Sequence, residues 1–191
     1  AVYAVRGWSR KKGSYDTSAH QDAVLETARE SIVLLKNEEQ RLPLAPEKTH
    51  RLLVIGHNAA KLHSNGGGSA EIKALYEITP LLGISKFLGG NCEVRYARGY
   101  DIPAKKESDH NWQEDSLDAS KAAAETAKET EDSARLRKEA VELAKEYKHV
   151  IYVGGLNHDQ DLEGQDRADL TLPYGQDRLI TELLEVRPDM T

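Results

Sequence analysis

Three short strand-like runs, separated by loops and helical patterns, constrain the fold more than any other feature of this chain. They occupy residues 51–56, 92–96 and 149–155, and the first and third end in glycine. An apolar run such as the first is typical of a strand buried on both faces of a parallel sheet. Because helical segments lie between the runs, the sequence predicts an α/β fold with a mostly parallel, doubly wound sheet and helices on both faces.

Helical segments are predicted before, between and after these runs. They cover residues 18–36, 79–88, 116–148 and 174–185. The first begins with the capping-box spacing of Ser18 and Gln21. After the last, the chain is expected to turn into a further strand near residues 187–189.

The chain is predicted to have two parts. Residues 1–45 are interpreted as an interdomain lead-in with the first helix, and residues 46–191 as the α/β domain. A helical insertion occupies about residues 101–148 of that domain. The boundary is placed in a proline-containing connector, because proline there cannot continue the helix.

Composition excludes several classes of partner. The net charge is −6 and the early basic cluster is only Arg10-Lys11-Lys12, which argues against a nucleic-acid surface. No uninterrupted apolar run is long enough to cross a membrane. Cys92 is the single cysteine, so neither an internal disulfide nor a thiolate metal cluster is predicted. None of these features excludes an oligomer.

A glycine-rich loop follows the first predicted strand. It contains Gly66, Gly67, Gly68 and Ser69. It lacks the Lys-Ser/Thr pair of a P-loop, and it does not have the spacing of a dinucleotide-binding motif. Ligands of open α/β sheets bind beyond the carboxyl ends of the strands, so this loop either lets a ligand approach the main chain or forms a simple turn.

An acidic loop follows the third predicted strand. Its carboxylates crowd beside Arg167, at positions 159, 161, 163 and 166. Such crowding is costly unless a cation, a sugar or the arginine engages the carboxylates. The spacing of an EF-hand is absent and His158 has no second histidine at ligand spacing, so no metal site is predicted.

Three motifs in this order resemble family-3 glycoside hydrolases. They are residues 28–37 with 42–44, residues 54–56 with 66–69, and residues 163–167 with Leu170, Leu172-Pro173 and Gln176. The resemblance spans residues 19–185. It implies a truncated C-terminal α/β-sandwich domain from an enzyme of the β-glucosidase type.

The resemblance implies an active site shared between two domains. In the family, a barrel domain supplies an aspartate nucleophile and a loop of the α/β sandwich supplies the general acid/base. The implied activity is that of a retaining exo-β-glycosidase that releases terminal β-linked glucose. The implied partners are a β-glucoside or oligosaccharide and the missing barrel domain, and no cofactor is needed. No segment here resembles the nucleophile motif, so the chain alone is expected to be inactive.

The resemblance also assigns roles to residues of both loops. Glu163, directly before Gly164, is expected to be the acid/base, and Asp161 is its rival. Asp166 and Arg167 are interpreted as a structural pair that closes the loop. The residues expected to contact substrate are Asn157, His158, Gly67, Gly68 and Ser69.

Two other functions remain open from the residues themselves. One is a flavodoxin-like module that binds a small ligand at the same strand edge without catalysis. The other is an interaction domain that recruits a partner through the segment 116–148. Deletion of that segment separates the interaction domain from the glycosidase, because the complete glycosidase should still bind sugar whereas an interaction domain would lose its partner.

Overall fold

The computed structural model of this chain describes five stretches: residues 13–64, 72–102, 130–157, 160 and 169–191. By its internal contacts the chain divides into two compact units, Ala1–Leu44 and Ala45–Thr191. The glycine-rich loop, most of the predicted insertion and nearly all of the acidic loop lie outside the described residues.

In residues 13–44, the described part of the first unit, the α-helix α1 spans Ser18–Glu30. Its cap is Thr17, whose side chain accepts a hydrogen bond from the His20 backbone N–H at 3.3 Å. The predictions of a Ser18 cap and of a helix through Lys36 are therefore wrong. The helix stops before the β-branched pair Ile32-Val33, which has lower helix propensity than the preceding residues. No residue of α1 is buried within the unit.

The second unit is built on a parallel sheet with the strand order β2-β1-β3. The described strands are β1 (Arg51–Ile55), β2 (Glu93–Ala97) and β3 (His149–Tyr152). Leu53 of β1 lies opposite Arg95 on one side and Val150 on the other. Central position explains why β1 is apolar almost throughout, since both faces are covered. The predicted α/β fold with a parallel sheet is confirmed.

The α-helices of this unit that the structure describes are α2 (Pro80–Leu88), α3 (Glu131–Glu146) and α4 (Gln176–Val186). α3 contacts β1, β2 and α4. Because parallel crossovers are right-handed, the strand order puts α3 and α4 on one face of the sheet and α2 on the side of the other face. The core on the face of α3 and α4 consists of Leu53, Ile55, Ala97, Tyr100, Ala140, Ala144, Tyr147, Val150, Tyr174, Leu179 and Leu183. Among the helices that the structure describes, none combines the length and apolar character that a membrane crossing requires.

Thr191 continues the parallel pairing beside β3. Its backbone N–H donates to the Val150 carbonyl at 2.9 Å, and its carbonyl accepts from the Tyr152 N–H at 2.7 Å. This alternation is that of a parallel ladder. The expectation that the chain turns toward a further strand after α4 agrees with these bonds.

Two neighbouring leucines of α4 test the packing of this helix. Leu183 is 0% exposed and Leu184 is 44% exposed. We expect Leu183→Ala to lower the free energy of unfolding by about 3 kcal/mol, because it leaves a cavity between α4 and the sheet. Leu184→Ala should cost less than about 1 kcal/mol. Urea denaturation followed by circular dichroism measures both, and equal losses would contradict the orientation of α4.

Candidate functional site

The segments that follow the three strands converge at the carboxyl edge of the sheet. Gly56 N–H donates to the Ala97 carbonyl at 3.0 Å, and Val153 N–H donates to the Ile55 carbonyl at 2.8 Å. These bonds keep the chain after β1 in contact with the ends of both neighbouring strands. In an open α/β sheet this edge is where ligands bind.

Asn58 is the centre of a buried amide network at this edge. Its side chain is 3% exposed, and its Nδ2 donates to the carbonyls of Gly155 and Leu156, each at 3.2 Å. Its Oδ1 accepts from Asn157 Nδ2 at 3.3 Å. A single side chain therefore holds three successive residues that follow β3.

Asn157 lies inside the same network. It is 5% exposed, and its Oδ1 accepts from Lys61 Nζ at 3.5 Å in addition to its bond with Asn58. Both ends of the Asn157 amide thus have protein partners. Its predicted contact with substrate stays a prediction.

Gln176, the first residue of α4, holds the same stretch from the other side. It is 0% exposed, and its Oε1 accepts from the Gly155 N–H and from the Tyr152 hydroxyl, each at 2.9 Å. Its Nε2 donates to the Gly155 carbonyl at 3.0 Å. Burial raises the pKa of Tyr152, so its hydroxyl stays protonated and remains a donor to Gln176.

A second polar group lies beyond β1 and β2. Arg98 Nε donates to His57 Nδ1 at 2.9 Å, and Arg98 Nη2 forms an ion pair with Asp101 Oδ1 at 2.7 Å. Because Nδ1 accepts this bond, the proton of neutral His57 resides on Nε2. The His57 ring lies 6.0 Å from that of Tyr100, which stacks on Tyr174 at 6.1 Å. Burial raises the pKa of Tyr100, so this ring stays neutral.

The return of the acidic loop toward α4 is also bonded to the protein. Leu172 N–H donates to Asp177 Oδ2 at 2.9 Å, and Gln160 Nε2 donates to the Tyr174 hydroxyl. Tyr174 has a left-handed backbone, φ 63°, in the turn Pro173–Gly175 that precedes α4. The predicted helix start at residue 174 is therefore two residues early.

Among the predicted site residues, the structure describes Asn157 alone. The others, namely Gly67, Gly68, Ser69, His158, Asp161, Glu163, Asp166 and Arg167, lie outside the described residues. Within the described part of the chain, no group of three or more His, Cys, Asp or Glu side chains is arranged to hold a metal ion.

The sequence did not single out Asn58, and it marked Gln176 only as part of a motif. Both are buried polar residues that lie directly after a strand or at the start of a helix. The sequence signal that could have found them is an amide side chain in each of two segments, one after β1 and one at the start of α4. The parallel topology brings both segments to the carboxyl edge of the sheet.

The parallel sheet and the polar network at its carboxyl edge define a doubly wound α/β domain. Domains of this class bind ligands beyond the ends of their strands. Residues 32–191 match the family model described as the glycosyl hydrolase family 3 C-terminal domain. The chain belongs to glycoside hydrolase family 3, through the C-terminal domain of that family.

Individual relatives are glycosidases. The chain is 37% identical over 187 residues to the beta-glucosidase BoGH3A of Bacteroides ovatus, covering 93% of this chain and 22% of that protein. It is 30% identical over 173 residues to a beta-xylosidase of Formosa agariphila, covering 88% of this chain and 20% of that protein. The chain thus spans about a fifth of the length of these curated relatives.

The fold also matches solved structures. The crystal structure of a GH3 beta-glucosidase from Bifidobacterium adolescentis superposes with a TM-score of 0.67 at 24% identity. The match covers 95% of this chain and 22% of that one. At this identity the likeness concerns the fold alone. The family match, rather than this likeness, favours a hydrolase domain over the flavodoxin-like binding module.

Proposed function

We propose that this chain is the acid/base domain of a retaining exo-β-glycosidase that hydrolyses terminal β-linked glucose. The observation that carries the proposal is the Glu163-Gly164 motif, eight residues after the Gly155 backbone that the amide network holds at the carboxyl edge. The 37% identity to a beta-glucosidase favours glucosides, and xylosides are the nearest alternative.

The chemistry needs two carboxyl groups about 5 Å apart. A carboxylate of the barrel domain attacks the anomeric carbon, the glycosidic C–O bond breaks, and the Glu163 carboxyl transfers its proton to the departing oxygen. Water then attacks the glycosyl-enzyme while the Glu163 carboxylate accepts a proton, which releases the sugar with its configuration retained. The adjacent negative nucleophile raises the pKa of such an acid, so that it is protonated at working pH.

Other residues of the two loops take supporting roles in this proposal. Asp161 is the rival for the acid/base, with a shorter side chain. His158 and Asn157 border the leaving-group side of the sugar, and the glycine-rich loop 67–69 lines the entrance. Asp166 and Arg167 pair to close the acidic loop.

An apolar surface of the first unit supports a partner domain within the same polypeptide. Among the described residues of this unit, six large aliphatic side chains are exposed: Val24, Leu25, Ile32, Val33, Leu34 and Leu35. The last four are consecutive in the chain, and exposed apolar residues that lie together are typical of a surface that another protein element covers. The curated relatives are about five times longer than this chain, which leaves room for the barrel domain as the occupant.

A comparison of two protein forms tests the proposed function. We expect the complete polypeptide to hydrolyse 4-nitrophenyl β-glucoside, and residues 1–191 alone to give no more product than buffer, because the nucleophile is absent. Proton NMR of the first-formed sugar should show the β-anomer. An α-anomer, or hydrolysis by the isolated domain, would contradict the proposal.

A further inference from the structure

We infer that Asn58 and Gln176 are positioning residues, an amide clamp that fixes the point at which the chain leaves the sheet for the segment that carries Glu163. This inference rests on the proposed function of Glu163. It assigns a task to two buried side chains, neither of which is among the site residues predicted from the sequence.

The clamp acts on Gly155, Leu156 and Asn157. The Gly155 carbonyl accepts two hydrogen bonds, one from Gln176 Nε2 at 3.0 Å and one from Asn58 Nδ2 at 3.2 Å, while its N–H donates to Gln176 Oε1 at 2.9 Å. β3 ends at Tyr152, so these side chains replace the strand partners that the backbone would otherwise have. Removing either amide would take away side-chain partners that these backbone groups have in the buried network.

Each half of the clamp belongs to a rigid element. Asn58 lies in the turn His57–Ala59 that follows the central strand β1, and its backbone carbonyl contacts His63 Nε2 at 3.0 Å. Gln176 begins α4, whose buried leucines pack in the core. The exit point of the acidic segment is thus fixed relative to β1, β3 and α4 together.

The other end of the segment is held by the residue next to Gln176. Asp177 Oδ2 accepts from the Leu172 N–H at 2.9 Å, and Asp177 itself is exposed. Consecutive residues at the start of α4 therefore hold the outgoing chain at Gly155 and the returning chain at Leu172.

Positioning of this kind predicts a selective kinetic effect. A general acid must lie within hydrogen-bond reach of the leaving oxygen, and a misplacement of about 1 Å can cost about 10²-fold in rate. A 2,4-dinitrophenolate leaves without protonation, whereas an alkoxide needs the proton. Displacement of Glu163 should therefore slow alkyl glucosides much more than dinitrophenyl glucosides.

The test measures kcat/KM for methyl and 2,4-dinitrophenyl β-glucosides in the complete polypeptide. We expect Asn58→Ala and Gln176→Ala to lower the ratio of the methyl to the dinitrophenyl value by about tenfold or more, and exposed Asp177→Ala to lower it by about threefold. The ratio does not depend on the fraction of enzyme that is folded, so general destabilisation leaves it unchanged. The matched control is Glu142→Ala, an exposed carboxylate of α3 that pairs with Lys145 at 2.6 Å, and its ratio should equal that of the unaltered protein.

Glu163→Gln, assayed in parallel, separates the two levels of the proposal. A lowered ratio for Glu163→Gln with unchanged ratios for Asn58→Ala, Gln176→Ala and Asp177→Ala would overturn the positioning role and leave the proposed function standing. An unchanged ratio for Glu163→Gln would overturn both. If the buried variants give no folded protein, Asp177→Ala decides, and an unchanged ratio for it counts against the clamp.

Discussion

Glu163→Ala in the complete polypeptide is expected to lower kcat/KM for an alkyl β-glucoside by about 10³-fold, because the leaving alkoxide loses its proton donor. This loss corresponds to about 4 kcal/mol of transition-state stabilisation. A 2,4-dinitrophenyl glucoside should lose far less in kcat/KM, since its leaving group departs unprotonated. Initial rates with both substrates measure the two effects.

Azide should restore part of the lost turnover of Glu163→Ala. The dinitrophenyl substrate still forms the glycosyl-enzyme, but no base activates water for the second step. Azide needs no base, fits the space left by the carboxyl group and attacks the anomeric carbon, so β-glucosyl azide should accumulate. Asp161→Ala is the matched control: azide rescue of that variant, with normal alkyl glucoside turnover in Glu163→Ala, would transfer the acid/base role to Asp161.

The strands were predictable because the apolar pattern of a short stretch of sequence indicates which residues are buried. Leu53, Val54 and Ile55 form an apolar run, and all three are fully buried in the central strand. β2 lies within one residue of its predicted position, and exposed and partly covered side chains alternate along it. A central parallel strand needs apolar residues on both faces, so its composition alone reveals it.

The ends of helices were less predictable, because tertiary contacts decide them. The periodicity around α4 continues back to Tyr174, but that residue is buried and stacks on Tyr100 with a left-handed backbone. The contact joins residues that are far apart in sequence and cannot be inferred from either segment. The end of α1 is different: it stops at Glu30 although Ile32 and Leu35 continue its apolar spacing, and the local cause is the low helix propensity of Ile32 and Val33.

The sequence directed attention to the loops of the candidate site and not to its supports. The acidic residues were singled out because like charges in succession are conspicuous. Asn58 and Gly155 are 97 positions apart, and a neutral amide in a loop looks like any other turn residue until the topology brings the two together. Such supporting residues can be recognised only once β1 and β3 are known to pair. The sequence predicts a parallel sheet, but not which strands are neighbours in it.

The junction between β1 and the site depends on Gly56, and replacing it should have the largest effect on stability. Its φ is +117°, and a Cβ built on it would lie 2.1 Å from the Val153 carbonyl oxygen. Backbone strain in that region costs about 1–3 kcal/mol for a residue other than glycine. The oxygen belongs to the neighbouring backbone, so relief of the overlap requires β1 and the end of β3 to separate.

We therefore expect Gly56→Ala to lower the free energy of unfolding by more than about 4 kcal/mol, a large part of the stability of a domain of this size. Urea denaturation and thermal melting measure the loss. Gly90→Ala is the matched control, because a Cβ there meets nothing within 4 Å, and it should change stability by no more than about 0.5 kcal/mol. Near-native stability of Gly56→Ala would mean that Val153 does not approach β1 as described. The hydrogen bonds from Asn58 to Gly155 and Leu156 depend on the same approach, so they would then be in doubt as well.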